Sequence, residues 1–139
     1  MFVDRSIDPT AEQVRRLRDA GAEGPVTMVN LLKFRERARY EDGTETPCSG
    51  REAYARYKHA FTVTVGAVSQ ARVLYSGPVA QVFIGAPGQP ETDWDEVLVV
   101  RYPSRAHFLA MMADPTYREA LRHRYAGLER TVLLQCAGA

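Results

Sequence analysis

The spacing of hydrophobic residues along the chain switches repeatedly between a period of two and a period near 3.6, and the order of those switches outlines an architecture. The run Val26–Phe34 places Val26, Met28, Asn30, Leu32 and Phe34 on one alternating face and Thr27, Val29, Leu31 and Lys33 on the other. Both faces are mostly apolar, which predicts a central strand covered on both sides. From about Arg51 to Val65, Ala53, Tyr54, Tyr57, Ala60, Phe61 and Val65 recur at helical spacing, and Gly66 is expected to end that helix. Ala71–Tyr75 and Val79–Ile84 read as a second strand interrupted at Ser76-Gly77-Pro78, since proline removes a ladder donor. Trp94–Tyr102 predicts a third strand that Pro103 ends. Ser104 is a natural N-cap for a helix over Arg105–Met112. Asp114-Pro115 restarts the helix, with Tyr117, Ala120, Leu121, Arg124 and Leu128 as its stripe; Gly127 breaks it and Glu129–Cys136 is a final strand. Ahead of all this, Thr10–Ala20 predicts a short helix, with Thr10 as N-cap, Gln13 completing a capping box and Gly21 as its stop. Its Arg15, Arg16 and Arg18 read as a solvated face. The turn-rich stretches Arg35–Gly50 and Gly85–Asp93 are expected as surface loops, the first a candidate lid.

Without the N-terminal helix, the order is strand, helix, strand, strand, helix, strand. That is the split βαβ pattern of an α+β, ferredoxin-like βαββαβ fold with a four-stranded antiparallel sheet. The expected division is an N-terminal helical extension over residues 1–24 and one domain over 25–139. Helices on a single face leave the opposite, apolar sheet face open. A second copy is the simplest cover, which predicts a homodimer with the two sheets facing one another.

Composition narrows the function classes. The 139 residues include 18 Lys+Arg against 17 Asp+Glu, a net charge of +1, with 45% hydrophobic and 25% charged positions. Charge this balanced predicts neither a nucleic-acid face nor an anionic membrane surface. No secretory leader pattern and no run long enough for a membrane span is present, and Cys48 and Cys136 read as reduced thiols, so a cytoplasmic location is expected. Neither the cysteines nor His59, His107 and His123 show metal-ligand spacing, and no Gly-rich phosphate loop, Rossmann fingerprint or Gly-x-Ser-x-Gly elbow occurs. No metal or cofactor is expected.

The candidate chemistry lies in polar groups on apolar faces. Asn30 interrupts an apolar strand face, and a buried amide needs partners. It is either bonded structurally or a donor to a substrate oxygen. Arg124, on the inner stripe of the last helix, needs a carboxylate or several acceptors, with Asp95 or Glu96 as candidate partners; it is either a structural ion pair or a clamp for an anionic substrate. Tyr54, Tyr57, Tyr117 and Trp94 bring aromatic area to the space between helices and sheet, as core or as pocket lining, and Phe108 and Met112 offer an apolar wall. Ser104 reads first as a cap, and His123 neighbours the inner stripe.

Several strings together carry a resemblance: Val29-Asn30-Leu31-Leu32-Lys33-Phe34, Gly50-Arg-Glu-Ala-Tyr54, Trp94-Asp95, Tyr102-Pro103-Ser104-Arg105, Asp114-Pro115-Thr116-Tyr117 and His123-Arg124-Tyr125-Ala126-Gly127-Leu128. In order and spacing, from about Pro25 to Cys136, the chain resembles the family designated domain of unknown function 1330, within the dimeric α/β-barrel superfamily. One departure is Gln70-Ala71-Arg72, where that family often has a Gly-Gly-Arg-like turn. The resemblance implies a ferredoxin-like subunit and a dimeric barrel, and no particular activity. The wider superfamily includes cofactor-independent monooxygenases, polyketide cyclases, isomerases, haem-degrading enzymes and ligand-binding domains, many with a small-molecule pocket between helices and sheet. The expectation is therefore a small-molecule-binding protein. One form would be a cofactor-independent monooxygenase, cyclase or isomerase acting on a flat oxygenated aromatic or polyketide-like compound. Asn30, Tyr54, Asp95 and Arg124 would be its catalytic candidates, and Tyr57, Trp94, Ser104, Phe108, Met112, Tyr117 and His123 its substrate contacts. The alternative is a non-catalytic dimeric ligand-binding or structural module. A helix–sheet gap filled by side chains would weigh against catalysis there.

Overall fold

A computed structural model describes residues 7–19, 24–41, 43, 47–62 and 66–137. The elements run α1 (Ala11–Asp19), β1 (Val26–Phe34), α2 (Gly50–Ala60), α3 (Gly66–Ser69), β2 (Arg72–Pro78), β3 (Glu96–Tyr102), α4 (Arg105–Ala113), α5 (Pro115–Gly127) and β4 (Leu128–Ala137). The strands form one antiparallel sheet in the order β2-β3-β1-β4, the ferredoxin-like arrangement.

Local chemistry explains most boundaries. Thr10 and Gln13 form the expected reciprocal box: the Gln13 N–H donates to Thr10 Oγ1 at 3.1 Å, and the Thr10 N–H to Gln13 Oε1 at 2.8 Å. A second box, Ser49 with Glu52, opens α2. The Ser49 backbone N–H, then its side chain, holds the Glu52 carboxyl below its ordinary pKa. Ser104 Oγ accepts the His107 N–H at 3.2 Å, and Asp114 Oδ1 accepts the N–H groups of Thr116 at 2.9 Å and Tyr117 at 3.3 Å.

Three expectations are corrected. First, β2 runs unbroken through Ser76-Gly77-Pro78 to an end at Pro78, and its irregularity lies between Val73 and Tyr75. Pro78 fits because it ends the strand at a sheet edge. Val79–Ile84 is loop, not strand, because no neighbouring strand offers it a ladder. Second, α2 closes at Ala60 and widens into a π-type turn at Phe61–Thr62. Residues 63–65 of the expected helix lie outside the described residues. Third, Gly66 opens the short α3 instead of ending a long helix. The lid reading of Arg35–Gly50 falls partly on residues 42 and 44–46, also outside the described residues. Of the remainder, Ala38 N–H donates to Cys48 O at 3.0 Å and Arg39 N–H to Ala126 O at 2.9 Å, which ties this stretch to the end of α5.

The helix-facing side of the sheet carries Val26, Met28, Leu32 and Phe34 of β1 and Leu98, Val100 and Tyr102 of β3, all buried with Tyr54, Tyr57, Phe108, Met111, Tyr117 and Leu128 in one core. Ile7 and Leu17 join that same core, and Arg105 Nη1 donates to Leu17 O at 3.1 Å, binding α1 to the start of α4. The opposite side is built in rows by the strand register. Tyr75, Val99, Val29 and Leu134 form one row, and Gly77, Val97, Leu31 and Val132 the next. In the single chain the β1 and β3 members of these rows are half-buried, while Tyr75, Val132 and Leu134 are exposed.

Candidate functional site

Between helices and sheet lies a layer of tyrosines. Tyr54 and Tyr57, one turn apart on α2, put their ring centroids 5.2 Å from each other; Phe34 lies 5.4 Å from Tyr54, and Tyr117 lies 6.1 Å from Tyr57. The Tyr57 and Tyr117 hydroxyls hydrogen-bond at 3.0 Å, and the Tyr102 hydroxyl donates to Met111 Sδ at 3.8 Å. Burial pushes the Tyr54, Tyr57 and Tyr102 hydroxyls well above their ordinary pKa, so all three stay protonated. Arg124 borders them. Burial weighs against its charge, and attraction to the anionic forms of Tyr57, Tyr117, Tyr54 and Asp8 raises its pKa. Its ion-pair partner is Asp8, with Nη1–Oδ1 at 3.8 Å. Burial, and then Asp8, push the Tyr125 hydroxyl up to about 12. The Tyr57–Tyr117 and Tyr102–Met111 bonds and the ring contacts tie this layer together.

Open space lies at the end of β1, where three backbones meet. Gly50 N–H donates to Arg35 O at 3.0 Å, and Arg35 N–H donates to Gly127 O at 2.8 Å. A Cβ on Gly50 would sit 2.2 Å from Arg35 O and 2.6 Å from Gly127 O, so the start of α2 reaches this junction only as glycine. The junction fixes both backbone groups of Arg35. Beside it is a cleft of about 430 Å³ lined by Lys33, Phe34, Arg35, Glu36, Ser49, Arg51, Asp95 and Glu129. A neighbouring hollow of about 340 Å³ shares Glu36 and Ser49 and adds Arg37, Pro47 and Cys48.

The cations around the cleft differ in their partners. Lys33 Nζ lies 3.1 Å from Asp93 and 3.5 Å from Asp95, and its pKa is raised, chiefly by the Asp93 hydrogen bond. Arg51 pairs with the buried Glu96, which also lies 3.4 Å from Lys58 Nζ, and the Arg51 guanidinium sits 5.0 Å above the Phe34 ring. Arg35 is different: its Nε is buried and has no hydrogen-bond partner, the one such side-chain nitrogen or oxygen among the described residues. A buried donor without an acceptor costs about 1–3 kcal/mol and calls for an explanation.

The residues singled out from sequence are dispersed. Asn30 spends its amide on Leu98 O at 3.0 Å, across the β1–β3 pair. Asp95 lines the cleft, where Oδ2 accepts the Phe34 N–H at 2.8 Å; neither it nor Glu96 is the Arg124 partner, since Glu96 is taken by α2 and Arg124 by Asp8. Trp94 is not in the helix–sheet gap: it lies under Arg130 of β4, 4.3 Å from ring to guanidinium, with Nε1–H donating to Glu91 O. Ser104 caps α4, and the same oxygen lies 2.7 Å from His107 Nδ1. Phe108 is core beside Tyr102, and Met112 packs partly buried at its margin. His123 Nδ1 meets the Tyr40 hydroxyl at 2.7 Å, away from the tyrosine layer's hydroxyl pair. The cleft thus brings in Asp95 from the sequence candidates and adds Lys33, Arg35 and Arg51. The signals for these were a strand ending in Lys-Phe-Arg and a glycine directly after a Ser N-cap. Among the described residues no group of three or more His, Cys, Asp or Glu side chains is placed to hold a metal, and no helix is long and apolar enough to cross a membrane.

Fold and site together define a ferredoxin-like α+β subunit with one helix-covered sheet face and a charged cleft at the sheet end. Residues 45–135 match the family described as domain of unknown function DUF1330, and the chain belongs to that family. The crystal structure of methylated RPA0582 protein is 38% identical, covering 96% of this chain and 94% of its own, with a TM-score of 0.81. A second crystal structure of RPA0582, a protein of unknown function from Rhodopseudomonas palustris, is 36% identical over 96% of each chain, with a TM-score of 0.83. A dimeric protein of unknown function with a ferredoxin-like fold from Bacteroides fragilis shares the fold at 16% identity, 82% of this chain, 96% of its own and a TM-score of 0.52. No curated protein matches the sequence.

Proposed function

We propose that this chain is a cytoplasmic, homodimeric small-molecule-binding protein. Its ligand is a small oxygenated anion, carboxylate-bearing, held in the cleft at the end of β1. The observation that carries the reading is the buried, unpartnered Nε of Arg35 beside a cleft whose volume suits a small metabolite. A planar carboxylate offers the acceptors that a guanidinium fork is shaped to use, and it would draw on Lys33 and Arg51 without either leaving its own acid. The flat aromatic compounds expected from sequence fit best as aromatic carboxylates. Catalysis in the helix–sheet gap is the weaker reading, since Tyr54, Tyr57 and Tyr117 occupy that space and bond to one another or pack together. The dimer reading rests on the apolar rows through Val29, Leu31, Val97 and Val99, a contiguous patch of the kind that marks an association surface. Free thiols at Cys48 and Cys136 agree with a reducing compartment.

Isothermal titration calorimetry with salicylate, and with its uncharged amide as control, tests the ligand class. The expected result is saturable binding of the carboxylate, one per chain, lost in Arg35→Met, with no binding of the amide. Equal binding of acid and amide, or unchanged binding in Arg35→Met, would overturn the proposal.

A further inference from the structure

Between β2 and β3 the chain leaves the sheet as an arm, residues 79–95. Its base is closed by the Val79 N–H donating to Asp95 O at 2.9 Å. Its return half is held firmly. Thr92 Oγ1 donates to Ala86 O at 2.7 Å, and Arg130 of β4 donates to Pro90 O at 2.8 Å and Asp93 O at 2.7 Å while stacking on Trp94. Gly85 and Gly88 take positive φ, 130° and 78°, at the bends. This anchored arm nevertheless presents Phe83 at 86% exposure and Ile84 at 89%. Two adjacent bulky apolar side chains are thus left almost wholly in water on the outgoing half of an arm whose base and return half are fixed to the sheet.

We infer that the arm is an interface element: Phe83 and Ile84 of each copy bury against a second copy of this chain, alongside its open sheet face. The inference rests on the face-to-face pairing proposed above and goes beyond it. The area to be buried favours a second copy as the occupant. The apolar rows on the sheet expose only a few hundred Å², whereas a stable interface needs roughly 800 Å² per partner. Phe83 and Ile84 add on the order of 150 Å² each, which closes much of that shortfall.

Sedimentation equilibrium on the full chain tests this, comparing wild type, the double variant Phe83→Ser/Ile84→Ser and Leu134→Arg. The arm residues make little contact within their own subunit, so the double variant should keep the wild-type circular dichroism spectrum. The expected result is a wild-type dimer whose dissociation constant rises at least 100-fold in the double variant. A dissociation constant within twofold of wild type, with Leu134→Arg monomeric, overturns the arm and leaves the sheet-face pairing standing. A dimer broken by the arm variant and untouched by Leu134→Arg overturns the sheet-face pairing and, with it, the placing of the arm beside that face. A wild type that is monomeric at tens of micromolar overturns both.

Discussion

Replacing Arg35 by Met should stabilise the protein while abolishing its binding. The Nε of Arg35 is buried without an acceptor. An orphaned buried donor costs about 1–3 kcal/mol. Methionine is unbranched and of similar reach, so it keeps most of the contacts of the arginine stem and removes the orphan. The backbone at residue 35 is held by Gly50 and Gly127 whatever the side chain. The net expectation is a gain of about 1–2 kcal/mol, which for a domain of this size raises Tm by about 3–8 °C. Differential scanning calorimetry of the two proteins at equal concentration reads this directly. A carboxylate at 100 times its Kd should then add about 2.7 kcal/mol to wild type and nothing to Arg35→Met. If Arg35→Met melts several degrees below wild type, the arginine is a structural support, and the argument from its orphaned donor fails.

Other consequences follow from the junction, the tyrosine layer and the buried acid. Gly50→Ala places a Cβ against backbone atoms of Arg35 and Gly127 that have no freedom to give, so it should cost about 3 kcal/mol or more, seen as a lower urea midpoint with unchanged m. Tyr54, Tyr57 and Tyr102 are pushed up by burial, so below pH 10 they are protonated in both folded and unfolded chains. Above it only the unfolded chain releases protons, and stability falls as pH rises by up to about 1.4 kcal/mol per pH unit for each tyrosine. Absorbance at 295 nm and circular dichroism should therefore report tyrosine ionisation and unfolding together; ionisation of these residues near pH 10 with the fold intact would contradict the account. Glu96→Gln leaves Arg51 and Lys58 facing a neutral amide and should cost about 1–2 kcal/mol by thermal melting, because both cations are partly solvated and recover some hydration.

What could be read from sequence was what neighbours along the chain decide. The Thr10–Gln13 box and the caps at Ser104 and Asp114 depend on residues within four positions of each other, the span of β1 on its own alternating run of nine, and all appear where expected. The strand-helix order sufficed for the ferredoxin-like arrangement, because few chain paths satisfy it. What escaped was decided at long range. Val79–Ile84 has the composition of a strand, but a strand needs a neighbour, and β3 is already paired on both sides by β2 and β1. The partner of Arg124 was sought on β3, where inward carboxylates were visible; Asp8 lies in a segment read as an extension and reaches Arg124 only after folding. Arg35 carried no mark in sequence, one of 18 basic residues, because its isolation arises where β1, α2 and α5 converge.

The most direct test of the ligand account is a crystal structure of the protein soaked with salicylate. The account predicts the carboxylate in the cleft at the end of β1, against the Arg35 guanidinium and near Lys33. Salicylate seated instead among Tyr54, Tyr57 and Tyr117, with the cleft empty, would contradict it and return the site to the space between helices and sheet.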